Sequence, residues 1–244
     1  MTSKTRKPSK EQLLGVIVHR AVLMPFSKPQ ALHRPRPDCL VIGATGETIE
    51  EAVRDAVRLL SNAIEELRKG RLADADVWST SLGLVVDSGG PWWSAPATEL
   101  WQLYKDDENS LDWILERFGG AAMKVAEWMS VTAKLEEWKW ISSEHATWTW
   151  GSQWLKSTRF DLLVGAGESC ERGYAIDLKV TSDDYLADDF EPRPEDKKSL
   201  QRYKKALEGT TFPVSGDGAL VLLYADRDGN RDARAIKALD QGNG

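Results

Sequence analysis

The chain has 244 residues, 41% of them hydrophobic and 29% charged, with a formal net charge of -6. That is long and apolar enough for one generous globular domain or two small ones, and it excludes disordered and collagen-like classes. The acidic balance also excludes a protein that coats nucleic acid non-specifically, because such binding rests on Lys and Arg neutralising phosphates.

Residues 1–11 read as a polar, basic tail, and basic residues continue as far as Arg34 and Arg36. The stretch LLGVIVHRAVLM, from Leu13, is rich in β-branched residues and reads as a strand. With His19 and Arg20 inside it and no small-residue cleavage site after it, it is too short to span a bilayer and is no signal peptide. SKPQALHRPRP is a Pro-rich loop, CLVIGA a short strand, and TGETIEEAVRDAVRLLSNAIEELRKG a helix with Ile49, Val53, Ala56, Val57, Leu60 and Ile64 on one stripe. Thr45 or Thr48 suits its N-cap, and Arg68, Lys69 and Gly70 suit its end. Residues 12–75 thus read as a small α/β region.

Residues 76–244 form the larger second part, and all eleven tryptophans fall between Val77 and Trp154. Around Trp113 and Trp128 the spacing is helical, split by Gly119 and Gly120, whereas ATWTW alternates as a strand does. Aromatic rings in such numbers could stack nucleic-acid bases, although core packing is the commoner use of tryptophan. From Thr147 the order is ATWTW, TRFDLLVG, a turn with Gly165, Gly167 and Gly173, GYAIDLKV, the helix EDKKSLQRYKKALEG, and ALVLLYAD. Together with the preceding helices this is an α-β-β-β-α-β unit, a sheet covered by helices.

Acid-x-Lys spacing recurs by chance at Glu137 to Lys139, Glu195 to Lys197 and Asp196 to Lys198. Asp177 and Lys179 differ because they sit in an apolar strand, on one face by period two, where a charge needs a partner. Asp161 interrupts the strand before it in the same way. Two carboxylates so placed repel each other unless a cation lies between them, and hard Mg²⁺ or Mn²⁺ ions favour such oxygens and activate water. Metal-assisted phosphodiester hydrolysis needs that set plus a cation such as Lys179; the Leu178 carbonyl is a further candidate ligand. A buried Asp-Lys ion pair with no catalytic role fits the same residues. The run Arg193, Lys197, Lys198, Arg202, Lys204, Lys205 follows, with Lys198 and Arg202 as candidate contacts to a nucleic-acid backbone.

At these residues the chain resembles the PD-(D/E)xK nuclease superfamily, its RecB-like and phage exonuclease branch, over residues 110–226. The resemblance implies a restriction-endonuclease-like core, Asp161 and Asp177 as metal ligands, Lys179 as the catalytic lysine, DNA as the partner and Mg²⁺ or Mn²⁺ as cofactor. In the helix SLQRYKKAL, Tyr203, Ala206 and Leu207 match the family pattern and imply a supporting role for Tyr203; Ser199 stands where the family has Gln. The family also supplies a Glu, sometimes a His, from a helix before the first strand, for which Glu127, Glu116 and Glu144 are the candidates here. It favours an exonuclease in recombination, repair or phage defence.

Residues 38–70 resemble the strand-turn-helix core of HicB-like antitoxin domains, which implies a protein partner or homo-oligomer through the N-terminal region. His19, His33 and His145 are too scattered for a zinc site or nucleophilic triad and read as structural or surface residues. Cys39 and Cys170 show neither disulfide nor metal spacing, which suits a cytoplasmic protein. ADRDGNRD reads as a turn, and without a phosphate-binding loop any ATP-driven activity belongs to another polypeptide. The alternative to a deoxyribonuclease is a non-catalytic regulatory protein that binds nucleic acid or a protein on a nuclease-like scaffold.

Overall fold

A computed structural model describes residues 8–26, 49–69, 105, 107–150, 155–208 and 219–237. The Pro-rich loop, the CLVIGA strand and Trp78, Trp92, Trp93, Trp101 and Trp154 lie outside them.

The first element corrects an expectation: Lys10–Leu23 is a helix, α1, not a strand, and a short 3-10 turn Met24–Phe26 follows it. Its apolar residues Leu13, Leu14, Ile17, Val18, Ala21 and Val22 are buried while the β-branched Val16 is exposed, which is a 3.6-residue stripe and not an alternation. A capping box starts it: Ser9 Oγ accepts from the Gln12 N–H at 3.3 Å while Gln12 Oε1 accepts from the Ser9 N–H at 2.9 Å. Helix α2, Ile49–Arg68, buries the expected stripe through Val53, Ala56, Leu60 and Ile64, whereas Val57 is half-buried. Helix α3, Glu108–Leu135, runs unbroken through Gly119 and Gly120. These glycines serve close packing: a Cβ on Gly119 would sit 3.3 Å from Val57, and one on Gly229 would sit 2.7 Å from the Gly120 backbone.

Five strands follow in sheet order, β1 Trp138–Trp150, β2 Leu155–Ala166, β3 Arg172–Thr181, β4 Ala219–Asp226 and β5 Arg234–Lys237. Helix α4, Pro194–Leu207, connects β3 to β4, and only that pair is parallel; the other three pairs are antiparallel. The sheet is therefore mixed, and the order from α3 to β4 is the α-β-β-β-α-β expected from the sequence. Strand β1 starts eight residues before ATWTW, and β5 lies beyond the expected elements because its residues, three half-buried and Lys237 exposed, carry little pattern. Gly165 lies inside β2, not in the turn, where a Cβ would come within 2.1 Å of the Trp140 indole.

Period-two alternation divides the core. Leu162, Val164, Ile176, Leu178, Val221, Leu223 and Ala225 pack with α1, α2 and α3, while Leu163, Ala175, Leu222 and Tyr224 pack with Leu200, Tyr203, Ala206 and Leu207 of α4. The sheet is thus flanked by helices on both faces. Among the described residues no helix is long and apolar enough to cross a membrane.

Leu14 is wholly buried among the residues that α1 shares with α2 and α3. Leu14→Ala is expected to destabilise the protein by about 2–5 kcal/mol, as read from urea unfolding; a loss under about 1 kcal/mol would show that α1 does not belong to this core.

Candidate active site

The β2–β3 ladder runs from Ala166 and Arg172 to Leu162 and Ile176. Asp161 and Asp177 are the next residue on each strand, so both carboxylates stand where the pairing stops. There the Asp161 side chain takes the place of a ladder acceptor: its Oδ2 accepts from the Leu178 N–H at 2.8 Å. The Asp161 N–H in turn donates to Tyr203 Oη at 3.1 Å, and the Tyr203 hydroxyl donates to Asp177 Oδ1 at 3.5 Å. Tyr203 is fixed by packing on Phe160, ring centroids 4.7 Å apart. One tyrosine of α4 therefore ties the backbone of one acidic residue to the carboxylate of the other.

Lys179 completes this group. Its Nζ lies 2.7 Å from Asp177 Oδ2, and 3.9 Å from Oδ1 of Asp196, a carboxylate on α4. Asp177 is only 4% exposed, and its Oδ2 accepts no hydrogen bond among the described residues, so the lysine contact is a charge contact without aligned hydrogen-bond geometry.

From the opposite side of the sheet α1 contributes His19, whose Nδ1 lies 3.8 Å from Asp161 Oδ2. Burial pushes the imidazole down to about 4; Lys179 lowers it further, while Asp177 and a hydrogen bond with the Leu178 backbone pull it up. Asp161 moves the other way. Burial and the neighbouring Asp177 raise its carboxyl to about 8, against lowering by the Leu178 N–H and Lys179.

The sequence-derived residues Asp161, Asp177, Lys179, Leu178 and Tyr203 thus come together. Lys198 and Arg202 do not join them: both are exposed on α4, and the Arg202 guanidinium donates to Ser199 Oγ at 3.3 Å. With Glu195, Gln201 and Lys205 they line a shallow concavity. Glu127 pairs with Lys124 at 3.0 Å and is half exposed, and Glu116 lies beside Arg117 and is 71% exposed; neither contacts the acidic pair. The side chains of Glu144 and His145 lie outside the described residues.

Two residues at the site were missed. His19 reads from the sequence as structural or surface because the three histidines are scattered along the chain; on a helix it lies at the rim of the buried stripe, where a polar side chain can reach a neighbouring layer. Asp196 was counted as a chance acid-x-Lys, yet it lies on the same face of α4 as Leu200 and Tyr203 and is 8% exposed. Trp113, a candidate stacking platform, has the cations of Lys10, Arg117 and Arg227 within 4.6–5.7 Å of its ring centroid, so its faces are already engaged.

The donor set fits a hard divalent cation. A buried oxygen on Asp177 that has the Lys179 charge but no aligned hydrogen bond, and a carboxyl whose pKa is raised beside it, both gain from positive charge between them. Among the described residues no three His, Cys, Asp or Glu side chains already converge as a cage, so the fit rests on the two carboxylates, with His19 and the Leu178 carbonyl adjacent. The sequence matches no protein-family model and no curated protein.

The two shifts have opposite consequences for stability. Between its ordinary 3.8 and about 8, Asp161 holds a proton in the folded protein that the unfolded chain releases, so stability falls as pH rises through that window. His19 takes up a proton below 6.5 in the unfolded chain but only near 4 in the folded protein, so stability rises with pH between those values. The slopes oppose each other up to 6.5 and leave a net loss from there to about 8. Asp161→Asn is accordingly expected to raise the melting temperature of metal-free protein, by a margin that grows from pH 4 to pH 8; thermal scans in chelator that show a pH-independent margin would contradict this.

Proposed function

We propose that this protein is a Mg²⁺- or Mn²⁺-dependent deoxyribonuclease on a restriction-endonuclease-like core. The observation that carries the reading is a pair of carboxylates, Asp161 and Asp177, meeting at the end of a ladder with Lys179 2.7 Å from one of them. The element order α-β-β-β-α-β and the contact of Tyr203 with both acidic residues support it.

Asp161, Asp177 and the Leu178 carbonyl hold the metal, and His19 fills the place for which a helix-borne Glu or His was expected. When bound, the ion supplies charge for the attacked phosphodiester and lowers the pKa of its water. Lys179 orients that water or stabilises charge on the phosphorane. Tyr203 keeps the carboxylates in register, a requirement because misplacement by about 1 Å costs orders of magnitude in rate. The exposed run Lys197, Lys198, Arg202, Lys205 offers phosphate contacts in an otherwise acidic protein. The resemblance to RecB-like and phage enzymes favours exonuclease activity on DNA in recombination, repair or defence.

With labelled DNA and Mg²⁺ or Mn²⁺, purified protein is expected to cleave, and Asp177→Asn and Lys179→Met to lose at least about 100-fold in kcat. Cleavage by both variants at the wild-type rate, or none by the wild type, overturns the reading, the second result in favour of a partner-binding scaffold. Charge reversal at Lys198 and Arg202 is expected to raise KM with kcat unchanged and to flatten the salt dependence of binding; an unaltered salt slope in DNA titrations would remove this face from the DNA path.

A further inference from the structure

Asp196 has no role in the reading above, and its setting is unusual for a helix acid. It lies in the first turn of α4 and is 8% exposed. Its Oδ2 accepts from the Tyr224 hydroxyl at 2.9 Å. Tyr224 is itself 2% exposed and wedged between the rings of Tyr185 and Phe190, with centroids 5.9 and 5.1 Å away. The carboxylate is thereby held rigidly, and its other oxygen, Oδ1, faces Lys179 at 3.9 Å. That is too long for a hydrogen bond but within about 1 Å of one.

Lys179 meanwhile occupies Asp177, at 2.7 Å from Oδ2. If the carboxylates take a divalent ion, as the proposed function requires, that ammonium and the ion compete for one buried oxygen and repel each other at short range. The lysine needs a second anion within reach of its flexible stem. Among the described residues, Asp196 is the other carboxylate that pairs with its Nζ.

We propose that Asp196 is the alternative seat of the Lys179 ammonium: metal entry between Asp161 and Asp177 moves Lys179 from Asp177 to Asp196, making Asp196 a positioning residue for the lysine. The inference rests on the metal-site reading and adds to it the anion that keeps Lys179 charged and aimed once Asp177 is engaged. The acid-x-Lys pair then supplies two members of a three-residue relay whose third member comes from α4.

The test uses Mn²⁺ affinity, which needs no turnover. By calorimetry on the full chain, Asp196→Asn is expected to weaken Mn²⁺ binding about ten-fold, because Lys179 then stays on Asp177, and Asp196→Glu to bind as the wild type does. In a Lys179→Met background Asp196→Asn is expected to have no further effect. An equal loss in that background would reduce Asp196 to a distant charge, and no loss in either would remove its role; both overturn the proposal. Should Asp196→Asn fail to fold, a crystal structure of the wild type with Mn²⁺ decides: Lys179 Nζ hydrogen-bonded to Asp196 supports the proposal, and Lys179 still on Asp177 overturns it. A wild type that binds no Mn²⁺ sinks the metal site and this inference together, whereas Mn²⁺ binding with an unmoved lysine sinks the inference alone.

Discussion

Two carboxylates and an ammonium gathered at the end of one strand ladder, Asp177 buried and Asp161 and Lys179 half-buried, impose the main constraint on this molecule. Ionised groups away from water are tolerated where hydrogen bonds and opposite charge replace hydration, and removing one partner of such a buried pair costs about 3–5 kcal/mol. Each neighbour of the group meets part of that requirement. The Leu178 N–H serves Asp161, the Tyr203 hydroxyl serves Asp177, Lys179 neutralises Asp177, and a proton on Asp161 removes the remaining like-charge repulsion. Without metal the site is thus balanced by protonation; with one it would be balanced by the ion, which exchanges a proton for a dication.

The position of this group follows from the two-sided core. Strands β2, β3 and β4 send alternate side chains to α1, α2 and α3 on one face and to α4 on the other. Asp161 and Asp177 share the parity of Leu163 and Ala175, which sets them toward α4 and its Tyr203 and Asp196. Because the ladder stops at Leu162 and Ile176, the site is also open to the other layer, and His19 reaches it from α1. Packing far from the charges therefore acts on them directly: α1 is held by Leu14, Ile17 and Val18 in the first core, α4 by Leu200, Ala206 and Leu207 in the second.

Close glycine contacts set the same layers at short distance. Gly119 meets Val57 of α2, and Gly120 meets Gly229 of the turn between β4 and β5, where a side chain on Gly229 would force the helix away. The same turn is fastened by Asp226, which accepts from Asn230 N and from the backbone and guanidinium of Arg231. That network explains the alternating acids of ADRDGNRD as a structural turn.

The strands RFDLLV and GYAIDLKV, the two charges inside them and the helix that follows were legible in the sequence, because alternation, apolar runs and helical stripes are local properties of the chain. So were α2 and the presence of a helix around Trp113 and Trp128. What the sequence left open depended on contacts between distant residues. Leu13 to Leu23 carries strand-forming residues, and burial against α3 made it a helix; Gly119 and Gly120 carry a break signal, and close packing cancelled it. By itself the sequence determined which residues must pair and neutralise charge within the sheet. The tertiary structure alone decided that His19, 142 residues before Asp161, and Asp196, 17 residues after Lys179, stand beside them, because which side chain meets a buried charge is set by how layers pack and leaves no mark on local periodicity.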